Sequence, residues 1–180
     1  MTNKLKRLAR HLWLDASDTR RAIPPDMLQR LAQRVAASER RHSGEIRICV
    51  ESSLPISYLW RLDRQNAISA VTRQRAVTMF GKLRVWDTHH NNGVLIYVLL
   101  AEHAIEIVAD RGLTRHVSPA QWQAMVARMA KAFRDNRYED GLTQALEETS
   151  AVLMAHFAEE GTQDTPSTHP NELPDTPMLQ

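Results

Sequence analysis

Val94–Leu100 and Ile105–Ala109 are two strand-like runs separated by Ala101-Glu102-His103-Ala104. A connection this short turns the chain back on itself, so the runs pair as an antiparallel hairpin. The first run, VLIYVLL, is apolar throughout, as expected of a central strand covered on both faces rather than one with a wet side. A strand of that kind needs helices above and below it, which places the chain in the α/β class. The hairpin has a second consequence. Trp86-Asp87-Thr88-His89-His90-Asn91-Asn92-Gly93 precedes the first run and Asp110-Arg111-Gly112 follows the second, so pairing carries both polar clusters to one end of the sheet.

The flanking sequence supplies the rest of the sandwich. Pro24-Pro25-Asp26 opens a helix to about Arg41, with Leu28, Leu31 and Val35 on one face. Ser43-Gly44 closes it, and Glu45–Glu51 alternates as a strand with Ile46, Ile48 and Val50 on one side. A second helix is expected from about Asp63 to Leu83. Ser118-Pro119-Ala120-Gln121 is a capping-box start for a third, which buries Trp122, Met125, Met129 and Phe133. A fourth, about Tyr138 to Phe157, buries Leu142, Leu146, Thr149 and Leu153. The first strand–helix–strand unit reads as a parallel pair. With the hairpin and two C-terminal helices it gives a three-layer α/β/α sandwich around a small mixed sheet.

Three zones follow. Residues 1–20 read as a basic amphipathic segment, with Leu5, Leu8 and Leu12 on one face and Lys4, Lys6, Arg7, Arg10 and His11 on the other, leading into a polar linker over Asp15–Arg21. Packing on the domain is the expected role of the short helix; peripheral contact of residues 4–14 with a membrane or a partner protein is the alternative. Residues 22–158 form the folded domain. Residues 159–180 carry four prolines and five Asp/Glu without a Lys or Arg, and are expected to form a disordered acidic tail outside the fold.

Composition excludes several classes. No run reaches the ~20 apolar residues of a transmembrane helix, and the N-terminus lacks the apolar stretch of a secretory signal. Cys49 is the single cysteine, which excludes an internal disulfide framework and a cysteine-based zinc site; a cytoplasmic protein is expected. Residues 1–49 hold eleven Lys/Arg against five Asp/Glu, but the aromatic interleaving and Gly-rich loops of nucleic-acid modules are missing, so nucleic acid is not an expected partner. Phosphate-loop, nucleophile-elbow and HExxH signatures are absent, and no catalytic residue can be assigned.

The strand directions define the candidate site. Parallel pairing puts Gly44-Glu45 beside Asn91-Asn92, and the returning strand delivers Asp110 to the same end. Asp87, Asp110, Glu45 and Asn92 are the expected ligands of a hard divalent cation, Ca²⁺ or Mg²⁺, because carboxylate and amide oxygens suit such ions. His42, Asn91, Arg111 and Arg115 are supporting residues. Each also has a plain structural role open to it: Asp110 as a turn former, Asn92-Gly93 as a strand start, Asp87-Thr88 as a local cap.

NNGVLIYVLLAEHAIEIVADRG, continued by Trp122, Phe133 and Tyr138-Glu139-Asp140-Gly141-Leu142, resembles the core of the TPM domain. That family is named for a thylakoid lumen protein, a photosystem II repair protein and a worm receptor modulator. The resemblance covers about residues 25–157, with GEIRICVE, RAVTMFGKLRVWDT and ADRG similar to a compact bacterial branch. It implies an α/β/α sandwich and a divalent-cation site to which Asp87, Asn92 and Asp110 correspond. It also implies either a phosphatase, with a metal-held phosphoric ester as substrate, or a non-catalytic module that binds a partner protein. The module is the expectation here, with the metal-assisted phosphatase as its alternative.

Overall fold

The computed structural model describes residues 2–62, 67–158 and 171–180. Three helices lead in: α1 (Thr2–Trp13), α2 (Ala16–Ala22) and α3 (Pro25–Glu39). The sheet begins with β1 (Ile46–Glu51), followed by α4 (Ile56–Leu59) and α5 (Ile68–Lys82). Next come β2 (Val94–Leu99), a 3₁₀ turn over Leu100–Glu102, and β3 (Ala104–Ala109). The short α6 (Arg111–Thr114), then α7 (Pro119–Arg134) and α8 (Tyr138–Phe157), precede β4 (Met178–Leu179). Residues 63–66, where a helix start was expected, lie outside the described residues, as do residues 159–170 of the expected tail. Among the described residues no helix is long and apolar enough to cross a membrane.

The sheet order is β3-β2-β1-β4. β1 pairs parallel with β2, Ile46 opposite Val94 through Glu51 opposite Leu99. β2 pairs antiparallel with β3, Val94 opposite Ala109 through Leu99 opposite Ala104. Every residue of β2 is buried. His103 completes the hairpin turn in the left-handed region, φ 47°.

Alternation along the strands sorts the core into two. Ile46, Ile48 and Val50, with Val94, Ile96 and Val98, pack with Leu31 and Val35 of α3, Met129 and Phe133 of α7, and Leu142 and Leu153 of α8. Cys49, Leu95, Tyr97, Leu99 and Val108 face the other way, onto Val71, Ala76 and Met79 of α5 and onto Tyr58 and Leu59 of α4. The result is the three-layer α/β/α sandwich. Burial pushes the Cys49 thiol up to about 12, so it serves as a small apolar side chain. The α5 layer also buries a charge pair: Arg75 Nε lies 2.8 Å from Glu51 Oε2, and the Tyr97 hydroxyl donates to the same oxygen at 2.6 Å.

Two segments differ from their sequence expectations. Asp15–Arg21 is not a linker but the N-cap and nearly the whole of α2, because Asp15 accepts from Ser17 N at 2.6 Å and Asp18 Oδ2 accepts from Asp15 N at 2.9 Å, a reciprocal cap. The helical domain thus begins earlier than residue 22. Residues 171–180 are not detached from the fold. Met178-Leu179 pairs parallel with Cys49-Val50 as the fourth strand, and Leu173 is buried against the α5 layer. The tail is polar, and polar contacts fix it: Glu45 accepts from Glu172 N and Leu173 N at 3.3 and 3.2 Å, while Arg47 donates to Pro174 O and, at 2.6 Å, to Thr176 O. A segment poor in apolar surface is held where β1 presents an open edge with one acceptor and one donor side chain.

Deleting residues 171–180 should therefore destabilise the protein by about 2–3 kcal/mol, from several lost hydrogen bonds and one buried leucine. A urea denaturation curve unchanged by the deletion would show that these contacts contribute nothing.

Candidate functional site at the sheet end

Main-chain bonds stitch three segments together at the start of β2. Val94 N donates to Glu45 O at 2.8 Å, Asp110 N to Gly93 O at 2.9 Å, and Gly112 N to Asn91 O at 2.9 Å. The convergence expected from strand directions is thus present in the backbone. Two glycines permit it. A Cβ on Gly93 would lie 2.0 Å from Val85 O, and one on Gly112 would lie 2.4 Å from Asn91 O. Asn91 itself takes a left-handed conformation, φ 52°, which asparagine tolerates better than most residues.

The side chains of the expected residues do not all follow the backbone. Asp110 is buried at the N-cap of α6 and accepts from Arg111 N at 2.6 Å, while its Oδ2 is buried without a hydrogen-bond partner. Asn92, one residue before the Gly93 that faces Asp110, is buried and donates to Ser43 Oγ at 3.2 Å; Thr88 Oγ1 lies 3.5 Å from Asn92 Oδ1 and accepts from Asn92 N at 3.1 Å. Asn91 Oδ1 accepts from Arg111 Nε at 2.9 Å and Nη2 at 2.5 Å. These four residues, with Ser43 and Thr88, form the polar cluster.

The others are drawn elsewhere. Asp87 is exposed and paired with Arg84. Glu45 holds the C-terminal segment, and burial raises its carboxyl above the ordinary range. His42 is buried between α3 and α8, with Nδ1 3.0 Å from Gly44 O and Nε2 3.0 Å from Ser38 Oγ and 3.4 Å from Ser150 Oγ. Arg115 is exposed at the C-cap of α6. His89 turns its backbone to the C-terminal segment, donating N–H to Glu172 at 2.9 Å.

The fit to a divalent cation is accordingly narrower than the sequence suggested. Among the described residues no three His, Cys, Asp or Glu side chains gather as metal ligands. The donor capacity left over is the orphaned Oδ2 of Asp110 and the amide oxygen of Asn92, whose contact with Thr88 is long. Reading the sequence missed a neighbouring acidic group. Glu39 Oε1 accepts from Ile46 N at 2.7 Å, and burial, reinforced by Glu45 and Asp175 nearby, pushes its carboxyl up to about 9. Only a folded tail brings Asp175 there, so no local sequence signal could have shown it.

An α/β/α sandwich with a polar cluster where a parallel strand pair meets a hairpin defines the class. Residues 16–152 match the TPM domain model, and the chain belongs to that family. The fold is similar to the NMR structure of the BA42 protein from the psychrophilic bacterium Bizionia argentinensis, with a TM-score of 0.67 and 24% identity over 87% of this chain and 94% of that one. It is also similar to the N-terminal domain of a protein from P. gingivalis, with a TM-score of 0.51 and 15% identity over 77% of this chain and 83% of that one. No curated protein matches it.

His42, buried away from the cluster between α3 and α8, gives the fold a pH signature. Burial lowers its pKa from 6.5 to about 4, so the folded state binds fewer protons than the unfolded chain between those values. Its contribution to stability is complete above pH 6.5 and is lost as pH falls toward 4, a change on the order of 3 kcal/mol. An NMR titration should find the imidazole neutral until pH about 4; protonation near its ordinary value would contradict the packing. Gly93→Ala should cost more than about 3 kcal/mol, because a main-chain carbonyl cannot yield to the new methyl. A melting temperature close to wild type would refute that close approach.

Proposed function

We propose that the chain is a non-catalytic binding module of the TPM family whose sheet end holds a weak divalent-cation site and presents it to a partner protein. The observation that carries this reading is the buried, unpartnered Oδ2 of Asp110, beside donors that are otherwise engaged. Asp110 and Asn92 would hold the ion. Asp87 could join only by leaving Arg84, and Glu45 only by releasing the C-terminal segment. One free carboxylate oxygen and an amide oxygen belong to the weak end of Ca²⁺ or Mg²⁺ affinity, at about millimolar dissociation constants. Bound there, a cation would neutralise the Asp110 carboxylate and offer open positions to an acidic group on a partner.

A phosphoric-ester hydrolase needs more at the same place: a placed nucleophile or activated water, and free cations for the phosphate. Of the basic neighbours, Arg84 is paired with Asp87 and Arg111 with Asn91, which leaves Arg115 exposed. A cytoplasmic setting suits the module, whose one thiol is buried rather than paired.

Ca²⁺ or Mg²⁺ should raise the melting temperature, with a stabilisation of about 2.7 kcal/mol at a hundredfold excess over Kd. Asp110→Asn should abolish the shift while keeping the fold, because asparagine also caps helices well. No shift in the wild type at millimolar cation would remove the ion from this reading. Turnover of p-nitrophenyl phosphate above an Asp110→Asn control would replace the module with the hydrolase.

A further inference from the structure

Helix α1 is docked the wrong way round for a soluble amphipathic helix. Its polar side grips the domain. The buried His11 ring accepts from Leu54 N through Nδ1 at 3.0 Å, so its Nε2 carries the proton and donates to Glu102 at 3.1 Å. Arg7 Nε lies 2.9 Å from the same carboxylate, and Arg10 Nη1 donates to Ala101 O at 3.0 Å. At about 100° per residue these three side chains share one face, and Leu8, Leu12 and Trp13 straddle the opposite one. The structure agrees: Leu12 is 59% and Trp13 87% exposed. The bond from Leu54 to His11 sets this helix alongside the segment leading to α4, where Ile56 is 53% and Trp60 83% exposed. Scattered surface apolar residues are ordinary, but two nearly bare tryptophans with leucine and isoleucine neighbours are not.

We infer that this surface, formed by α1 and the α4–Trp60 segment, docks on an anionic lipid bilayer. Charge selects that occupant. Residues 1–14 contain no Asp or Glu; with Arg7 and Arg10 turned to the domain, the exposed Lys6 on the Trp13 side of α1 and the exposed Arg61 after Trp60 are left to meet an anionic surface. Asp15 and Asp18 come next at the cap of α2, where Arg21 pairs with Asp18. The acidic neighbour Glu102 is covered by Arg7 and His11. Tryptophan is the side chain best suited to the headgroup region, with an apolar body and one N–H donor. Basic residues beside it add attraction to anionic lipid of about 1 kcal/mol each near the surface. A helix with exposed apolar side chains and basic neighbours is the kind that lies in a bilayer interface. It is separate from the sheet-end cluster and does not depend on the reading of that cluster.

The test uses the full chain with vesicles of phosphatidylcholine alone or mixed with phosphatidylglycerol. Cosedimentation with the anionic vesicles, a blue shift of tryptophan emission and weakening by added salt are expected. Leu12→Ser with Trp13→Ser should lower partitioning about tenfold, and Trp60→Ser should lower it independently. These exposed substitutions should leave the melting temperature unchanged, so lost binding cannot be mistaken for lost folding. Failure to bind anionic vesicles overturns the proposal, as does binding indifferent to the three substitutions or equal on neutral vesicles. Light scattering gives the remaining outcome: a dimer made monomeric by Trp13→Ser, without vesicle binding, would assign the surface to a second copy of the chain.

Discussion

Strand β2 has no face and no edge open to water. β1 and β3 take its main-chain groups, α5 covers one side, and α3, α7 and α8 cover the other. An unpaired peptide group in that position would cost as much as a lost buried hydrogen bond, so both neighbours are obligatory. The requirement propagates outward. Each neighbouring strand must alternate in step with β2, which divides the core into two apolar sets. Each set must then be closed by helices whose apolar stripes match it. The sandwich is the consequence of one six-residue strand that cannot be half wet.

That dependence explains what was legible in the sequence. VLIYVLL announces its own burial, and EIRICVE announces a strand with two different sides, so the parallel-then-antiparallel pairing of β1, β2 and β3 could be read directly, while β4 could not. The capping box at Ser118 likewise carries its own start signal, confirmed by Ser118 Oγ accepting from Gln121 N. The two misreadings have different causes. α2 is a short helix of polar residues whose reciprocal Asp15–Asp18 cap looks like loop composition. Residues 171–180 are proline-rich and acidic, yet they are ordered by groups supplied from β1, Glu45 and Arg47. Local composition cannot register a partner more than a hundred residues away. Arg75, too, lies on the buried face of α5 only because Glu51 and Tyr97 wait beneath it.

The sheet end shows where topology stops being informative. Strand direction places backbones, and Glu45, Gly93 and Asp110 do lie in one row. It does not decide rotamers, which go to the nearest strong partner. Arg84 lies three residues from Asp87 and claims it; the C-terminal amides claim Glu45; Gly44 O and Ser38 claim His42. The last three residues of the ADRG motif then each have a structural reading. Asp110 caps α6, Arg111 clamps Asn91, and Gly112 lets the helix start touch the Asn91 carbonyl. Only the second oxygen of Asp110 is left without a structural task.

The two ends of the molecule therefore differ in kind. At the sheet end, apposed main chains bring polar groups together where a Cβ on Gly93 or Gly112 would strike a main-chain oxygen. At the other end, α1 lies outside the matched TPM region and is held by ion pairs and a histidine, while its apolar residues face outward. A helix recruited for core stability would have been oriented oppositely, since burying Leu12 and Trp13 would stabilise it by several kcal/mol more than Arg7 and Arg10 can on a wet surface. An arrangement that forgoes that gain is explained when something else covers the apolar side. The orientation of α1 leaves Leu12 and Trp13 uncovered by the two cores, and the lipid surface proposed above would cover them.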